Sequence, residues 1–287
     1  MEVIIPKLVT SDGTSDSTLI SSSLPASVLD EWAEDKEYSV NDEIIYYPQY
    51  GLDKKIPIVY QSLSNENTEN QPDTSITDWL SLGASNRWKM FDSMSTSLSE
   101  STNTISVSIS ATDVDTLILL NVTAQQVSIS HNLGSEVITP NSTIDIIHKI
   151  GDAGDYTANI DIIPSSIASI GHCFLGKSYY LGSSQFGAST TIKDFSRIET
   201  NEDFGYTYLK QGAYRKEMDI DLMLMNDQVN DVWSKLISLR AMPAVWQGNQ
   251  NDTDFNNLII YGYFSSFSVL LKEHLYSDCS LSIKGLI

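Results

Sequence analysis

Strict alternation of apolar and hydroxyl side chains is the sequence feature that most limits how this chain can fold. Residues 105–110 read Ile-Ser-Val-Ser-Ile-Ser, and residues 127–130 read Val-Ser-Ile-Ser. A repeat of two places every second side chain on one face of an extended strand, so both segments are predicted to be half-buried antiparallel strands. The largely apolar run at 116–122 predicts a more central strand.

Turn signals separate these predicted strands. Residues 132–135 read Asn-Leu-Gly-Ser and residues 151–155 read Gly-Asp-Ala-Gly-Asp, and both predict turns. Alternation returns at 156–163. Several short strands with turns between them predict a mainly β fold, with a β-sandwich or jelly-roll-like region over residues 84–170.

Residues 171–287 are predicted to form a second β-rich region that contains one helix near 226–241. Apolar side chains recur from Val229 to Ile237 at helical spacing, Asn226 and Asp227 could cap the start, and Pro243 would end the helix. Predicted strands flank it at 216–225, 257–263 and 277–287. Whether 84–170 and 171–287 form one domain or two stays open.

The first 83 residues divide into an arm and a small module. Residues 1–27 are predicted to be a flexible N-terminal arm, since a short strand-like segment at 3–5 is followed by a stretch rich in Ser, Thr, Asp and Gly. Residues 28–83 contain two aromatic and β-branched runs, 44–47 and 58–60, separated by a polar stretch, as in a hairpin. So small a module must build much of its core from aromatic rings.

Charge and composition limit the partners. The formal net charge is −20, which repels phosphate backbones, so no nucleic-acid partner is expected. Cys173 and Cys279 stand far apart without a CxxC pair, which predicts neither a disulfide framework nor a zinc site. The apolar runs are too short to cross a bilayer and the N-terminus has no export signal, so we expect synthesis in the cytoplasm and no membrane insertion.

One motif matches a nucleotide-binding pattern. Residues 171–178 read Gly-His-Cys-Phe-Leu-Gly-Lys-Ser, which fits the phosphate loop. That loop needs a helix directly after it, whereas the residues that follow are glycines and β-formers. We therefore predict no nucleotide site.

No other residue set predicts catalysis or a cofactor. The four histidines lie far apart and in no ligand spacing: His131, His148, His172 and His274. Two pairs of carboxylates each share a strand face: Asp113 with Asp115, and Asp219 with Asp221. Such a pair could serve acid–base catalysis, but carboxylate pairs are also common on the solvent-facing side of a sheet. Residues 249–257 are rich in Asn and Asp but lack the spacing of a calcium loop, and a polar turn is favoured. We expect no enzyme, metal or cofactor.

The aromatic module resembles the small chitin-type carbohydrate-binding modules. The resemblance rests on an ordered set of residues: Trp32, Tyr38, Asn41, Asp42, Ile44, Ile45, Tyr60, Pro72 and Trp79. It implies a compact three-stranded fold that stacks sugar rings on exposed aromatic side chains, with Trp32, Tyr47 and Trp79 as the candidate contacts. The family's glycine before the turn acid is Asn41 here, a residue that also tolerates left-handed backbone.

The chain beyond Trp79 resembles tail proteins of tailed bacteriophages, of the distal-tail type. The junction reads Trp-Leu-Ser-Leu-Gly at 79–83 and Asn-Arg-Trp-Lys-Met-Phe-Asp at 86–92, and short matches continue to residue 286. The resemblance implies a virion structural protein of the tail tip, baseplate or collar that forms a homo-oligomeric ring and docks other tail proteins. It also implies that residues 176–178 form a β-turn.

Two functional hypotheses follow from these resemblances. In the first, the protein is structural and the small module is a spacer or docking platform. In the second, the module recognises a host-surface polysaccharide. They differ at Trp32, Tyr47 and Trp79: buried rings indicate architecture, and an exposed flat platform indicates sugar stacking.

Overall fold

The computed structural model describes residues 1–13, 16–249, 256–271 and 273–287, and it is mainly β. The strands, in chain order, are β1 (Glu2–Lys7), β2 (Ser17–Ser22), β3 (Glu43–Tyr46), β4 (Ile58–Ser62), β5 (Trp79–Ala84), β6 (Ser99–Ser101), β7 (Ile105–Val122), β8 (Gln126–His131), β9 (Gly134–Ile138), β10 (Ile144–Ile163), β11 (Ala168–Ile170), β12 (His172–Tyr180), β13 (Ser183–Ser184), β14 (Ser189–Asp194), β15 (Arg197–Asn201), β16 (Tyr206–Lys210), β17 (Tyr214–Met225), β18 (Ala244–Gln247), β19 (Ile259–Leu271) and β20 (Tyr276–Gly285). The α-helix is α1 (Val229–Ser238), and short 3-10 helices span Lys89–Phe91 and Asn256–Leu258.

The chain divides into two compact units. One comprises Lys7–Gly176, and the other comprises Met1–Pro6 together with Lys177–Ile287. The boundary therefore falls near residue 176 rather than after residue 170. The sequence predicts a flexible arm over residues 1–27. That prediction is wrong at β1 and β2, because β1 pairs with β18 and β2 pairs with β7.

In the Lys7–Gly176 unit, an antiparallel sheet is built around the 18-residue strand β7. One side of β7 pairs with β2 and with the first residues of β12, and the other side pairs with β10, which is followed by β8 and β9. The alternating segments at 105–110 and 127–130 lie in β7 and β8, as predicted. The predicted turn at 151–155 is wrong: these residues lie within β10, where the register shifts between Lys149 and Tyr156.

The aromatic module forms the predicted three-stranded sheet, in the order β3–β4–β5. Asn41 precedes it with a positive φ of 72°, the left-handed turn expected of an asparagine at that position. The module is not separate from residues 84–170, however. Its buried Ile44, Tyr60 and Trp79 belong to the same hydrophobic cluster as residues of β7, β8 and β10.

The junction at 79–92 is an ordered, partly buried segment rather than an exposed linker. After β5 the chain enters a 3-10 turn whose Met90 and Phe91 are buried. The Met90 amide donates to Ser99 Oγ at 3.1 Å, and Ser99 Oγ donates to the Asn86 carbonyl at 2.6 Å. These bonds tie the residues that follow β5 to the start of β6.

The second unit contains a sheet in the order β1–β18–β19–β20–β17, with β13 and β14 pairing along the far side of β17. Alternate residues of β17 and β20 are buried, as the period of two requires. Its hydrophobic cluster includes the fully buried Trp246, and α1 contributes Val232 and Leu236. A mainly β fold with one helix among the described residues is confirmed.

The helix begins later than its predicted cap. Gln228 occupies the N-cap position without a side-chain hydrogen bond. Asn226 instead donates its amide group to the Glu273 and His274 carbonyls, at 3.1 and 2.9 Å, and accepts a bond from Ser277 Oγ. The side chain expected to cap α1 therefore ties the end of β17 to the chain that leads into β20.

Candidate functional site

Trp79 is a core residue and not a surface for sugar. Its side chain is 3% exposed, and its ring meets Tyr38 edge-on at a centroid distance of 5.2 Å. Its indole N–H donates to the Asn70 carbonyl at 2.9 Å. A ring whose faces are packed offers no surface on which a sugar can stack, so the burial of Trp79 counts against its predicted role in carbohydrate binding.

Trp32 and Tyr47 are both half-buried. The Trp32 ring contacts Tyr46 edge-on at 5.8 Å, and its amide bonds the Ile45 carbonyl. Burial raises the pKa of Tyr47, and the neighbouring Glu31 carboxylate raises it further, partly through a hydrogen bond. With Trp79 removed from the set, these two side chains are all that is left of the predicted binding platform.

The phosphate-loop pattern at 171–178 lies in a strand. His172 to Gly176 pair with β7 from Leu120 to Thr116, and His172 to Gly176 are buried. An extended ladder directs its amides at a neighbouring strand rather than into a phosphate cradle. The prediction of no phosphate loop agrees with this geometry, whereas the β-turn expected at 176–178 is wrong because β12 continues to Tyr180.

The carboxylate pair of β17 is arranged as part of a cross-strand ladder. Asp219 Oδ1 accepts a bond from Ser282 Oγ, and Asp221 Oδ1 accepts one from Ser280 Oγ, both at 2.5 Å. Both aspartates are exposed. Asp113 adopts a positive φ of 53°, so the backbone turns at the other predicted pair.

The Asn- and Asp-rich stretch at 249–257 falls largely on residues 250–255, which lie outside the described part of the chain. Among the residues that are described, no group of three or more His, Cys, Asp or Glu side chains is placed to hold a metal ion. In the same residues, no helix has the length and apolar character needed to cross a bilayer.

Three features escaped sequence reasoning. The first is a contact between two histidines: Nε2 of His131 and Nε2 of His148 lie 3.1 Å apart, although the sequence separates these residues widely. The second is Asp92, which is 1% exposed. Burial raises the pKa of Asp92 to about 7, although hydrogen bonds from Met94 and Ser97 act to lower that pKa. Only the tertiary fold reveals these two, because neither depends on local spacing.

The third feature is an exposed hairpin in the second unit. All residues of β15 and β16 are exposed, including the large side chains Ile198, Tyr206, Tyr208 and Leu209, and so is Phe204 in the turn between the two strands. Residues 197–201 read Arg-Ile-Glu-Thr-Asn, an alternation that is compatible with a strand. The pattern does not show whether a core lies beneath that strand.

Comparison with models of known protein families and with curated protein sequences finds no match to this chain.

Proposed function

We propose that the protein is a structural component of a bacteriophage tail, in the tail tip, baseplate or collar of the virion, where it assembles into a ring and docks neighbouring tail proteins. The resemblance at the 79–92 junction and in the C-terminal region favours this class. The single structural observation that carries the assembly argument is the exposed β15–β16 hairpin.

The hairpin has one uncharged face. In the β15–β16 register Ile198 is opposite Leu209 and Thr200 is opposite Thr207, so these four side chains share a face. Ile198 is 68% exposed and Leu209 is 76% exposed. The opposite face carries Arg197, Glu199, Asn201, Tyr206, Tyr208 and Lys210. An uncharged face with two large, exposed apolar side chains is unusual on a chain with a formal net charge of −20.

A two-stranded ribbon without a core beneath it is only marginally stable in water, and it needs a surface to pack against. Its free strand edges also offer unpaired backbone groups for strand addition. We commit to a second copy of this chain as that surface, since a hairpin that projects from each copy onto the next one produces the head-to-tail contact of a closed ring.

The test is the mass of the purified protein in solution, measured by light scattering at several concentrations. We expect a discrete oligomer that negative-stain electron microscopy shows as rings. The double variant Ile198→Lys/Leu209→Lys should shift the mass to the monomer, because charge is placed on the interface while no core residue changes.

The matched control is Val28→Lys/Ile76→Lys, at two apolar side chains that are 97% and 81% exposed in the other unit. It should keep the oligomer. A wild-type protein that stays monomeric at every concentration, or a hairpin variant that assembles as the wild type does, would refute self-assembly through this face.

Recognition of a host-surface polysaccharide by the 28–83 module is the alternative function. We rank this function second because Trp79, one of its three candidate contacts, is buried. It keeps Trp32 and Tyr47, and binding of the wild type but not of a Trp32→Ala variant to insoluble polysaccharide would restore it.

A further inference from the structure

His131 and His148 meet because of a corner in the sheet. In the β8–β10 ladder His131 is opposite Ala158, which comes ten residues after His148 in the same strand. A straight strand would separate those two positions by about 33 Å. The register shifts between Lys149 and Tyr156, together with the positive φ of Asp113 in β7, bend the ribbon here.

The hydrogen bonds around the pair assign each proton. The Leu133 amide donates to Nδ1 of His131 at 3.3 Å, which leaves the His131 proton on Nε2. Nε2–H of His131 then donates to Nε2 of His148 at 3.1 Å. On its other side, Nδ1–H of His148 donates to Glu136 Oε2 at 2.6 Å. His148 is thus held as the tautomer whose Nε2 has no proton and accepts a hydrogen bond through its lone pair.

That arrangement has two properties of a metal site. Metal-bound histidines regularly donate their second ring N–H to a carboxylate, which orients the ring and raises its basicity, as Glu136 does for His148. In addition, the two Nε2 atoms are close enough to share one ion. With both bonds at about 2.1 Å, a separation of 3.1 Å gives an angle of about 95° at the metal.

We propose that His131 and His148 bind one divalent transition-metal ion through their Nε2 atoms, with Glu136 as the outer carboxylate that positions His148. An angle near 90° between two imidazole nitrogens suits the tetragonal geometry of Cu²⁺ or Ni²⁺. Water fills the remaining positions, since no third protein ligand converges here among the residues that the structure describes.

Binding requires a proton shift within His131. The proton on Nε2 moves to Nδ1, so the ring stays neutral and the pair releases no proton. The weak bond from the Leu133 amide is then lost. Leu133 lies in an exposed turn between β8 and β9, where the backbone can adjust. The His148 side chain is 15% exposed and Glu136 is 49% exposed, so an ion can reach the pair from solvent.

The experiment titrates the full chain with Cu²⁺ at pH 7.5, by calorimetry and by electron paramagnetic resonance. We expect one ion per chain with two imidazole nitrogens coordinated. His131→Gln and His148→Gln should each abolish that spectrum. Glu136→Gln should weaken binding by about 10-fold to 100-fold, as loss of an outer carboxylate does.

The matched control is His274→Gln, since His274 is exposed and remote in sequence from the pair. It should bind Cu²⁺ as the wild type does. Circular dichroism establishes that every variant is folded. Retention of the two-nitrogen spectrum in folded His131→Gln or His148→Gln, or its loss in His274→Gln, would overturn the site.

Discussion

The indole N–H of Trp246 in β18 donates to the carbonyl oxygen of Gly262 in β19, at 2.9 Å. Trp246 is fully buried, so this bond satisfies the one polar atom of the largest side chain in its cluster. Gly262 is enclosed on its other side. A Cβ atom there would lie 2.1 Å from the Lys284 carbonyl oxygen, which is a backbone atom. Gly262 thus lets β20 approach β19 while its carbonyl holds the indole.

Gly262→Ala is therefore expected to destabilise the protein. A methyl group at this position must displace β20 or the Lys284 peptide, and overpacking of this kind costs about 1–3 kcal/mol or more. Urea unfolding followed by circular dichroism measures the loss. Gly134→Ala is the control, because its nearest neighbouring atom lies 4.0 Å from the added Cβ. Equal losses in the two variants would contradict the close-packing argument.

The sequence predicts those parts of the fold that depend on local pattern. The period of two predicts β7 and β8, and the helical spacing of apolar residues predicts α1. Burial of one face of a strand or helix leaves a periodic pattern of apolar residues in the local sequence. Prediction from local pattern fails where pairing with a second strand determines the structure of a segment. Gly151 and Gly154 signal a turn by composition, yet pairing with β7 holds the segment as a bulged strand.

The candidate sites were harder to predict for the same reason. The resemblance to carbohydrate-binding modules predicts Trp79 as a binding residue, but aromatic type and order carry no information on which ring faces are covered. The contact between His131 and His148 arises from the corner in β10, which no spacing rule describes. Asp92 follows directly after the buried Phe91, and its own burial depends on the packing of the junction.

Trp79→Phe should lower the free energy of unfolding by about 2 kcal/mol. The variant loses the hydrogen bond to the Asn70 carbonyl and leaves a cavity beside Tyr38. Trp32→Phe should cost less, since Trp32 is only half-buried. Chemical unfolding monitored by far-ultraviolet circular dichroism compares the two without relying on tryptophan fluorescence. An unchanged stability in Trp79→Phe would show that this ring does not support the module's core.

Asp92→Asn should stabilise the protein at pH 8. Burial raises the pKa of Asp92 from 3.8 to about 7, so the folded state binds a proton more tightly than the unfolded state does. Stability from this group is present below about pH 4 and declines as the pH rises to 7. The asparagine carries no charge, so the gain at pH 8 should be roughly 2–4 kcal/mol and shrink towards pH 5. Asp35→Asn, in an exposed loop, controls for the loss of one charge. A gain that did not depend on pH would disprove the ionisation of Asp92 as its cause.

His172 should act on pH-dependent stability in the opposite direction. Its ring is fully buried in β12 and stacks on Phe174 at 5.4 Å, and burial lowers its pKa from 6.5 to about 3. Below pH 6.5 the unfolded chain binds a proton at His172, whereas the buried ring stays neutral. The contribution of His172 to folding stability is therefore fully present above pH 6.5 and is lost as the pH falls towards 3. His172→Gln removes the titrating group, so its stability relative to the wild type should rise steadily between pH 7 and pH 4. Proton NMR gives a direct check: the His172 ring resonances should not move between pH 8 and pH 5, and a midpoint near 6.5 would contradict the buried neutral ring.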